Sequence, residues 1–108
     1  MESNDYRQRI KTLQEKLGQS GLDAFVLRTD ANIIYLIGMS YFSMERKVLL
    51  VVPAKGEPTL IVPRMEQERL SRSPSVQQVL SYWEMDAKPG RDWQSLLHKA
   101  LGRHTAWQ

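Results

Sequence analysis

Cysteine is absent from this chain of 108 residues, and histidine occurs only twice. The absence of cysteine excludes disulfide bonds, thiolate metal sites and cysteine nucleophiles together, and it fits a reducing compartment. No apolar run approaches the roughly 18 residues that a membrane span requires, and the polar N-terminus does not resemble a secretion signal. We therefore expect a cytoplasmic protein that has no membrane partner.

Glycine is scarce and scattered, with six residues at positions 18, 21, 38, 56, 90 and 102. Phosphate-binding loops need closely spaced glycines, so the sequence argues against nucleotide binding. Gly38, Met39 and Ser40 begin the pattern of a nucleophile elbow, but Phe42 stands where the second glycine is required. Since no histidine precedes position 98, we do not expect a serine hydrolase.

Residues suited to metal binding or acid–base chemistry do not converge in the sequence. His98 and His104 are six positions apart, which places them on opposite sides of a helix. Glu84 and Asp86 share a strand face only if that strand continues into the loop residues that follow them. We therefore predict no metal site, no cofactor and no catalytic group in this chain.

The net charge of +3 comes from 15 Lys and Arg against 12 Asp and Glu. The basic residues are spread over the whole length instead of forming a block. Dispersed charge of this kind is typical of solvated helix faces, so we expect no nucleic-acid partner. The composition, 42% hydrophobic and 25% charged, is close to the globular average. The chain length suits one domain, over residues 1–108.

Hydrophobic periodicity predicts alternating helices and strands. In chain order they are a helix over Asp5–Leu17 ended by Gly18, a strand over Ala24–Leu27, a short helix over Ala31–Leu36 ended by Gly38, a hairpin of Lys47–Val52 and Thr59–Val62, a helix over Arg64–Ser71, a strand over Val76–Trp83, and a helix from the cap Asp92 to Gly102. The continuous apolar run of the first strand suggests burial on both faces, hence helices on both sides of the sheet. The order predicts an α/β fold of three layers, in which a mixed sheet with one adjacent antiparallel pair lies between helices.

The loop from Gly38 to Arg46 is the best candidate site in the chain. It carries Met39, Tyr41, Phe42 and Met44 between a helix end and a buried strand. These side chains either fold back on the core or meet a partner, because aromatic residues, methionine and arginine are favoured at contact surfaces. For the second alternative, Tyr41, Phe42 and Arg46 are the residues that we expect to make the contact.

The chain also resembles the N-terminal region of creatinase, prolidase and aminopeptidase P proteins over about residues 5 to 101. The heptapeptide NIIYLIG, residues 32–38, is similar to a recurrent family pattern, with Ile37 in place of the usual threonine. VVPAKGEPTLIVPRMEQE looks like the family's hairpin and following helix. Further matching residues are Tyr6, Arg9, Ile10, Leu13, Gly21, Leu22, Asp23, Ala24, Gly56, Pro58, Leu60 and Glu66.

This resemblance implies a ribonuclease-H-like domain that precedes a pita-bread catalytic domain. In the family that second domain binds two divalent metals, often manganese or cobalt, through Asp, Asp, His, Glu and Glu. None of those ligands lies in this chain, so we expect it to be non-catalytic by itself. The family's N-terminal domain also continues with a further strand and helix, so we expect this chain to stop short of the domain's C-terminal end.

The implied function is that of an accessory domain in a metal-dependent Xaa-Pro dipeptidase or aminopeptidase. The resemblance implies a homodimer, contacts with the chain's own catalytic domain, and a loop that closes part of the partner subunit's active site. By position that loop is Gly38 to Arg46, which gives Tyr41, Phe42 and Arg46 their implied role. A parent that cleaves creatine, a catalytically inactive parent, and a free-standing protein- or peptide-interaction module are the open alternatives.

Overall fold

The computed structural model describes residues 3–41, 47–82 and 92–102. The elements in chain order are α1 (Ser3–Gln19), β1 (Ala24–Leu27), α2 (Asp30–Ile37), β2 (Leu49–Pro53), β3 (Thr59–Pro63), a 3-10 turn (Arg64–Glu66) that leads into α3 (Gln67–Leu70), β4 (Gln78–Tyr82) and α4 (Trp93–Gly102). The predicted order of helices and strands is confirmed. Within these ranges no helix combines the length and the apolar character that crossing a membrane requires.

The four strands form one mixed sheet in the order β1-β2-β3-β4. β2 and β3 are the predicted hairpin, and β4 lies parallel to β3. β1 pairs antiparallel with β2, which the sequence analysis did not anticipate because it expected only one antiparallel pair. The sheet therefore carries two antiparallel pairs and one parallel pair.

Two apolar cores lie on opposite faces of the sheet. On one face α1, α2 and α3 cover side chains such as Leu50 and Leu60, and on the other face α4 covers Leu49, Val51 and Ile61. Every residue of β2 and β3 is buried, as the run of valine, leucine and isoleucine predicts for central strands. Full burial of each such side chain stabilises the fold by about 1.5–3 kcal/mol. The predicted three-layer α/β architecture is thereby confirmed.

β1 does not have the predicted burial on both faces. It is an edge strand, and the Phe25 side chain keeps 46% of its surface exposed while Leu27 is buried. The continuous apolar run therefore predicted the strand correctly, but its prediction that the strand is buried on both faces was wrong. Helices do cover both faces of the sheet, as predicted, but neither face is fully covered at β1.

Helix α1 passes through Gly18 and ends at Gln19, so the predicted end at Gly18 is wrong. The Leu22 N–H donates to the Leu17 carbonyl at 2.9 Å and the Gly21 N–H donates to the Gly18 carbonyl at 3.2 Å. This pair of bonds is a Schellman motif, which requires a left-handed residue, and Gly21 has a φ of 72°. The second glycine, rather than the first, ends the helix.

Two other helix boundaries differ from expectation. The predicted helix over Arg64–Ser71 is a 3-10 turn followed by the single turn of α3, and Pro63 is the last residue of β3. α2 begins at Asp30, one residue before the predicted start at Ala31, and the side chain of Thr29 at its cap position makes no capping hydrogen bond. The predicted cap of α4 is confirmed, because the Asp92 carboxylate accepts hydrogen bonds from Ser95 Oγ, at 2.5 Å to Oδ1, and from the Ser95 backbone N–H; these hydrogen bonds hold the pKa of Asp92 below its usual value.

Candidate functional site

The candidate loop begins at the C-terminal end of α2, where Gly38 has a φ of 74°. The Gly38 N–H donates to the Ile34 carbonyl, which confirms that this glycine ends the helix. A Cβ atom at position 38 would lie 2.8 Å from Pro74 Cγ and 3.0 Å from two atoms of the Tyr6 ring. Glycine is therefore required here both by the backbone conformation and by the close approach of two rings.

Two serines from a distant segment complete this helix end. Ser73 Oγ donates to the Ile37 carbonyl and Ser75 Oγ donates to the Leu36 carbonyl, both at 2.6 Å. These are carbonyls of the last turn, which have no partner within the helix. Ser73 Oγ also accepts from the Ser75 and Val76 backbone N–H groups at 3.3 and 3.2 Å. Sequence reasoning missed this contact, because no local pattern links serines to a helix end 36 or more positions away.

Tyr41 lies three residues further along the loop, with its ring buried against the core. Its hydroxyl donates to Asp30 Oδ1 at 2.8 Å, which ties the loop back to the first residue of α2. Burial first, and then the hydrogen bond and charge of Asp30, raise the pKa of Tyr41 above its usual value of 10.0. Tyr41 thus stays protonated at neutral pH, and its hydroxyl donates its hydrogen bond within the chain, to Asp30. Its expected role toward a partner stays a prediction.

The other two expected contact residues, Phe42 and Arg46, lie outside the described residues, as do Met44 and Glu45. Met39, at the start of the loop, packs against the core on the side of α1 and α2. The structure therefore defines how the loop leaves the helix, through Gly38 and Tyr41. The roles of Phe42 and Arg46 remain predictions.

An open depression of about 650 Å³ adjoins the loop at the carboxyl end of β1. Its wall includes the cationic residues Arg28 and Lys47, the polar residues Asp30 and Asn32, and the exposed ring of Phe25. This volume falls within the range of about 300–1,000 Å³ that is common for small-ligand sites. Cations and an amide beside an aromatic ring suit a carboxylate or a peptide backbone. Asp30 joins the depression to the loop through its hydrogen bond with Tyr41.

The basic residues of α1 are held by contacts within the chain. The Arg9 guanidinium lies 3.9 Å from the centre of the Tyr35 ring and 4.9 Å from that of Tyr6, and it donates to the Tyr35 carbonyl at 2.7 Å. Arg7 Nε donates to the Pro74 carbonyl at 3.0 Å. Both arginines therefore link α1 to other parts of the chain, at Tyr35 and Pro74. These contacts account for the presence of two basic residues on α1 without a nucleic-acid-binding surface.

The described residues do not fit the metal pair that the family resemblance implies. Within residues 3–41, 47–82 and 92–102, no group of three or more His, Cys, Asp or Glu side chains is placed to hold a metal ion. Glu66 pairs with Arg69 at 2.9 Å, and His98 lies on α4. His104, Glu84 and Asp86 are outside the described ranges.

Comparison with protein families finds that residues 9–105 match the Creatinase/Prolidase N-terminal domain. The chain is 32% identical to an uncharacterized peptidase of Staphylococcus epidermidis over 78 residues, which cover 72% of this chain and 22% of that protein. It is 30% identical to the probable dipeptidase PepE of Mycobacterium tuberculosis over 97 residues, or 90% of this chain and 25% of that protein. The chain thus spans about a quarter of the length of these relatives.

Solved structures agree with the sequence comparison. Dipeptidase PepE from Mycobacterium ulcerans superposes with a TM-score of 0.78 at 30% identity, over 94% of this chain and 27% of that one. A proline dipeptidase from Streptococcus pneumoniae gives 0.71 at 32% identity, over 83% of this chain and 63% of that one. The N-terminal domain of a Xaa-Pro dipeptidase from Lactobacillus brevis gives 0.75 at 19% identity, over 88% and 67%, and supports the fold alone.

Proposed function

The chain belongs to the Creatinase/Prolidase N-terminal domain family, and from that premise we propose that it is the non-catalytic N-terminal domain of a metal-dependent Xaa-Pro dipeptidase or aminopeptidase. The observation that carries this proposal is the family match over residues 9–105, in a chain that spans about a quarter of relatives named peptidase or dipeptidase. In this proposal, the peptidase reaction takes place in the remaining three quarters of such a protein. The predicted cytoplasmic location stays a prediction.

The chemistry of the described residues supports a non-catalytic role. In the described part of the loop, Tyr41 has its pKa raised by burial and its hydroxyl donates a hydrogen bond to Asp30, so it is a poor general base or nucleophile near neutral pH. The metal pair, manganese or cobalt in our proposal, would be held by the catalytic domain, where it would activate water and polarise the scissile carbonyl. No step of that reaction is assigned to a residue of this chain.

We assign to this domain a wall of the substrate pocket in a homodimer. The loop from Gly38 to Arg46 would reach the partner subunit's active site, starting from a rigid base. Support for that base comes from Gly38, which two rings enclose, and from Tyr41, whose hydroxyl is bonded to Asp30. A loop that leaves a fixed helix end costs less conformational entropy when it contacts a substrate. The depression with Arg28 and Lys47 beside the loop suits the carboxylate of an Xaa-Pro dipeptide.

Substitutions in the loop test the pocket role. We expect Phe42→Ala and Arg46→Ala in the parent protein to lower kcat/KM for Leu-Pro by about tenfold or more, which corresponds to loss of about 1.4 kcal/mol of transition-state stabilisation. Met65→Ala is the matched control, because Met65 is also a large exposed side chain but lies in the turn after β3. Urea unfolding of each variant would show whether the fold is intact. Wild-type kcat/KM in both loop variants would contradict the pocket assignment.

Mixed dimers test whether the loop acts across the subunit interface. One subunit would carry Arg46→Ala, and the other an inactivated catalytic domain with an intact loop. We expect mixing to restore activity, because the intact loop then faces the intact catalytic domain. If the mixture is no more active than the Arg46→Ala homodimer, the loop serves its own subunit.

A further inference from the structure

The depression beside the candidate loop is lined by two cations, Arg28 and Lys47, which the structure holds in different ways. Arg28 is an exposed residue directly after β1, and no hydrogen bond, ion pair or ring contact with another described residue holds its side chain. Lys47 is also exposed, but both its backbone and its side chain have partners in distant elements. The two cations are therefore not equivalent as anchors for an anionic ligand.

The backbone of Lys47 is held by β4. The Tyr82 hydroxyl donates to the Lys47 carbonyl at 2.7 Å, and the Tyr82 side chain is buried in the core between the sheet and α4. Lys47 lies two residues before β2, so this bond fixes the chain where it enters the sheet. The Lys47 side chain thus starts from a defined position at the wall of the depression.

The Lys47 side chain contacts α4. Its ammonium nitrogen lies 5.8 Å from the centre of the Trp93 ring, which is a cation–π distance, and tryptophan is the aromatic residue that binds cations best. Trp93 is partly buried and packs against the core beneath α4, which holds the ring in place. An ammonium carries three N–H donors, so a ring contact on one side leaves donors for an oxygen ligand on another.

The capped first turn of α4 places Trp93 beside Lys47. Asp92 Oδ1 accepts from Ser95 Oγ at 2.5 Å, and the Leu96 N–H donates to the Asp92 carbonyl at 3.1 Å. Trp93 is the first residue of α4, directly after this cap. The helix on the opposite face of the sheet from α1 and α2 is therefore linked to the depression through one ring.

Charge and order together favour Lys47 as the anion-binding group. The residues that line the depression include two cations and one carboxylate, Asp30, which leaves an excess of positive charge. A cation that is already held in place binds an anion at a lower entropic cost than a mobile one. We propose that Lys47 binds the C-terminal carboxylate of the peptide substrate, and that Trp93 is the residue that positions Lys47. This inference rests on the proposed function, which supplies the peptide.

A carboxylate bound at Lys47 makes the site selective for dipeptides. Each further residue moves the terminal carboxylate up to about 3.5 Å along an extended peptide, beyond the reach of a side chain held at a fixed point. Of the two activities that the proposed function leaves open, the geometry therefore favours that of a dipeptidase over that of an aminopeptidase.

Steady-state kinetics of the parent protein with Leu-Pro and with Leu-Pro amide test the role of Lys47. Because the amide lacks the carboxylate, Lys47→Gln should raise KM for Leu-Pro by about tenfold at unchanged kcat and leave KM for the amide unchanged. Arg28→Gln should raise KM for Leu-Pro less than Lys47→Gln does. Lys55→Gln, at an exposed lysine between β2 and β3, is the matched control and should change neither KM. A wild-type KM for Leu-Pro in Lys47→Gln, or a larger effect of Arg28→Gln, would overturn the proposal.

Substitutions of Trp93 separate positioning from stability. Trp93→Leu removes the aromatic face, so we expect it to raise KM for Leu-Pro by about threefold or more at unchanged kcat, whereas Trp93→Phe should restore most of the wild-type value. NMR of the wild-type 108-residue chain gives a readout that needs no variant: the Lys47 Hε protons should show ring-current shifts and NOE contacts to the Trp93 indole. A wild-type KM in Trp93→Leu, or Lys47 signals without these contacts, would overturn the positioning role.

Calorimetric titration with Leu-Pro distinguishes failure of this inference from failure of the proposed function. If the parent protein binds Leu-Pro without hydrolysing it, the proposed function fails, and a Kd that Lys47→Gln weakens by about tenfold still supports the inference. If the parent hydrolyses Leu-Pro and Lys47→Gln keeps the wild-type KM, only the inference fails. A parent that does not bind Leu-Pro would refute both.

Discussion

Gly38→Ala is the most informative single substitution for the base of the candidate loop. An alanine at a φ of 74° adopts a left-handed conformation, which costs about 1–2 kcal/mol. Its Cβ would also lie 2.8 Å from Pro74 Cγ and 3.0 Å from the Tyr6 ring. Pro74 cannot retreat easily, because Ser73 and Ser75 on either side are bonded to carbonyls of α2. Overpacking of this kind costs about 1–3 kcal/mol.

We therefore expect Gly38→Ala to lower the free energy of unfolding by about 2–5 kcal/mol, measured by urea titration with circular dichroism. Two other glycines separate the causes. Gly21 has a φ of 72° with nothing within 4 Å of an added Cβ, so Gly21→Ala should show only the conformational cost of about 1–2 kcal/mol. Gly18 lies inside α1 with open space around it, so Gly18→Ala should be neutral or stabilising by up to about 1 kcal/mol. If Gly38→Ala costs no more than Gly21→Ala, the enclosed helix end described above is wrong.

Three further predictions concern the loop anchor, the cap of α4 and the core. Because the folded state raises the pKa of Tyr41, the stability that this group contributes is complete below its usual pKa of 10.0 and is lost at higher pH. In urea titrations above pH 10.0, the free energy of unfolding should therefore fall less steeply with pH in Tyr41→Phe than in the wild type. Equal declines in the two proteins would refute this. The hydrogen bond from Ser95 is the largest cause that lowers the pKa of Asp92, so Ser95→Ala should raise that pKa toward 3.8 in an NMR titration, whereas an unchanged value would contradict the capping contact. Leu60→Ala, at a fully buried position facing α1, α2 and α3, should lower the free energy of unfolding by about 2–5 kcal/mol in chemical denaturation. Phe25→Ala, at the open edge, should lower it by less than about 1.5 kcal/mol. The reverse order would contradict the assignment of the core.

The elements that periodicity defines were predictable from the sequence. The apolar spacing of α1, the alternation of turn residues with valine-rich runs in the hairpin, and Gly38 at the end of α2 each reflect local physical chemistry. Local patterns also predicted Asp92 as the cap of α4, since its partner Ser95 is three residues away. The family resemblance depended on the same local features, in their order and spacing.

Features that depend on distant partners were not predictable. The apolar run of β1 is compatible with a central or an edge strand, and only the pairing with β2 on one side decides between them. The end of α1 depended on which of two glycines takes a positive φ. Ser73 and Ser75 carry no periodic signal, because they bond to carbonyls far away in the sequence. Tyr41 could equally fold back or face a partner, since an aromatic residue in a loop suits both.

Hydrolysis of Leu-Pro in the presence of manganese is the measurement that tests the central proposal most directly. The 108-residue chain would be compared with the protein encoded by the natural reading frame that contains it. We predict that the longer protein releases proline and that the 108-residue chain does not. Hydrolysis by the 108-residue chain itself, or an inert longer protein, would contradict the proposal that this domain serves a proline-specific metallopeptidase without catalytic groups of its own.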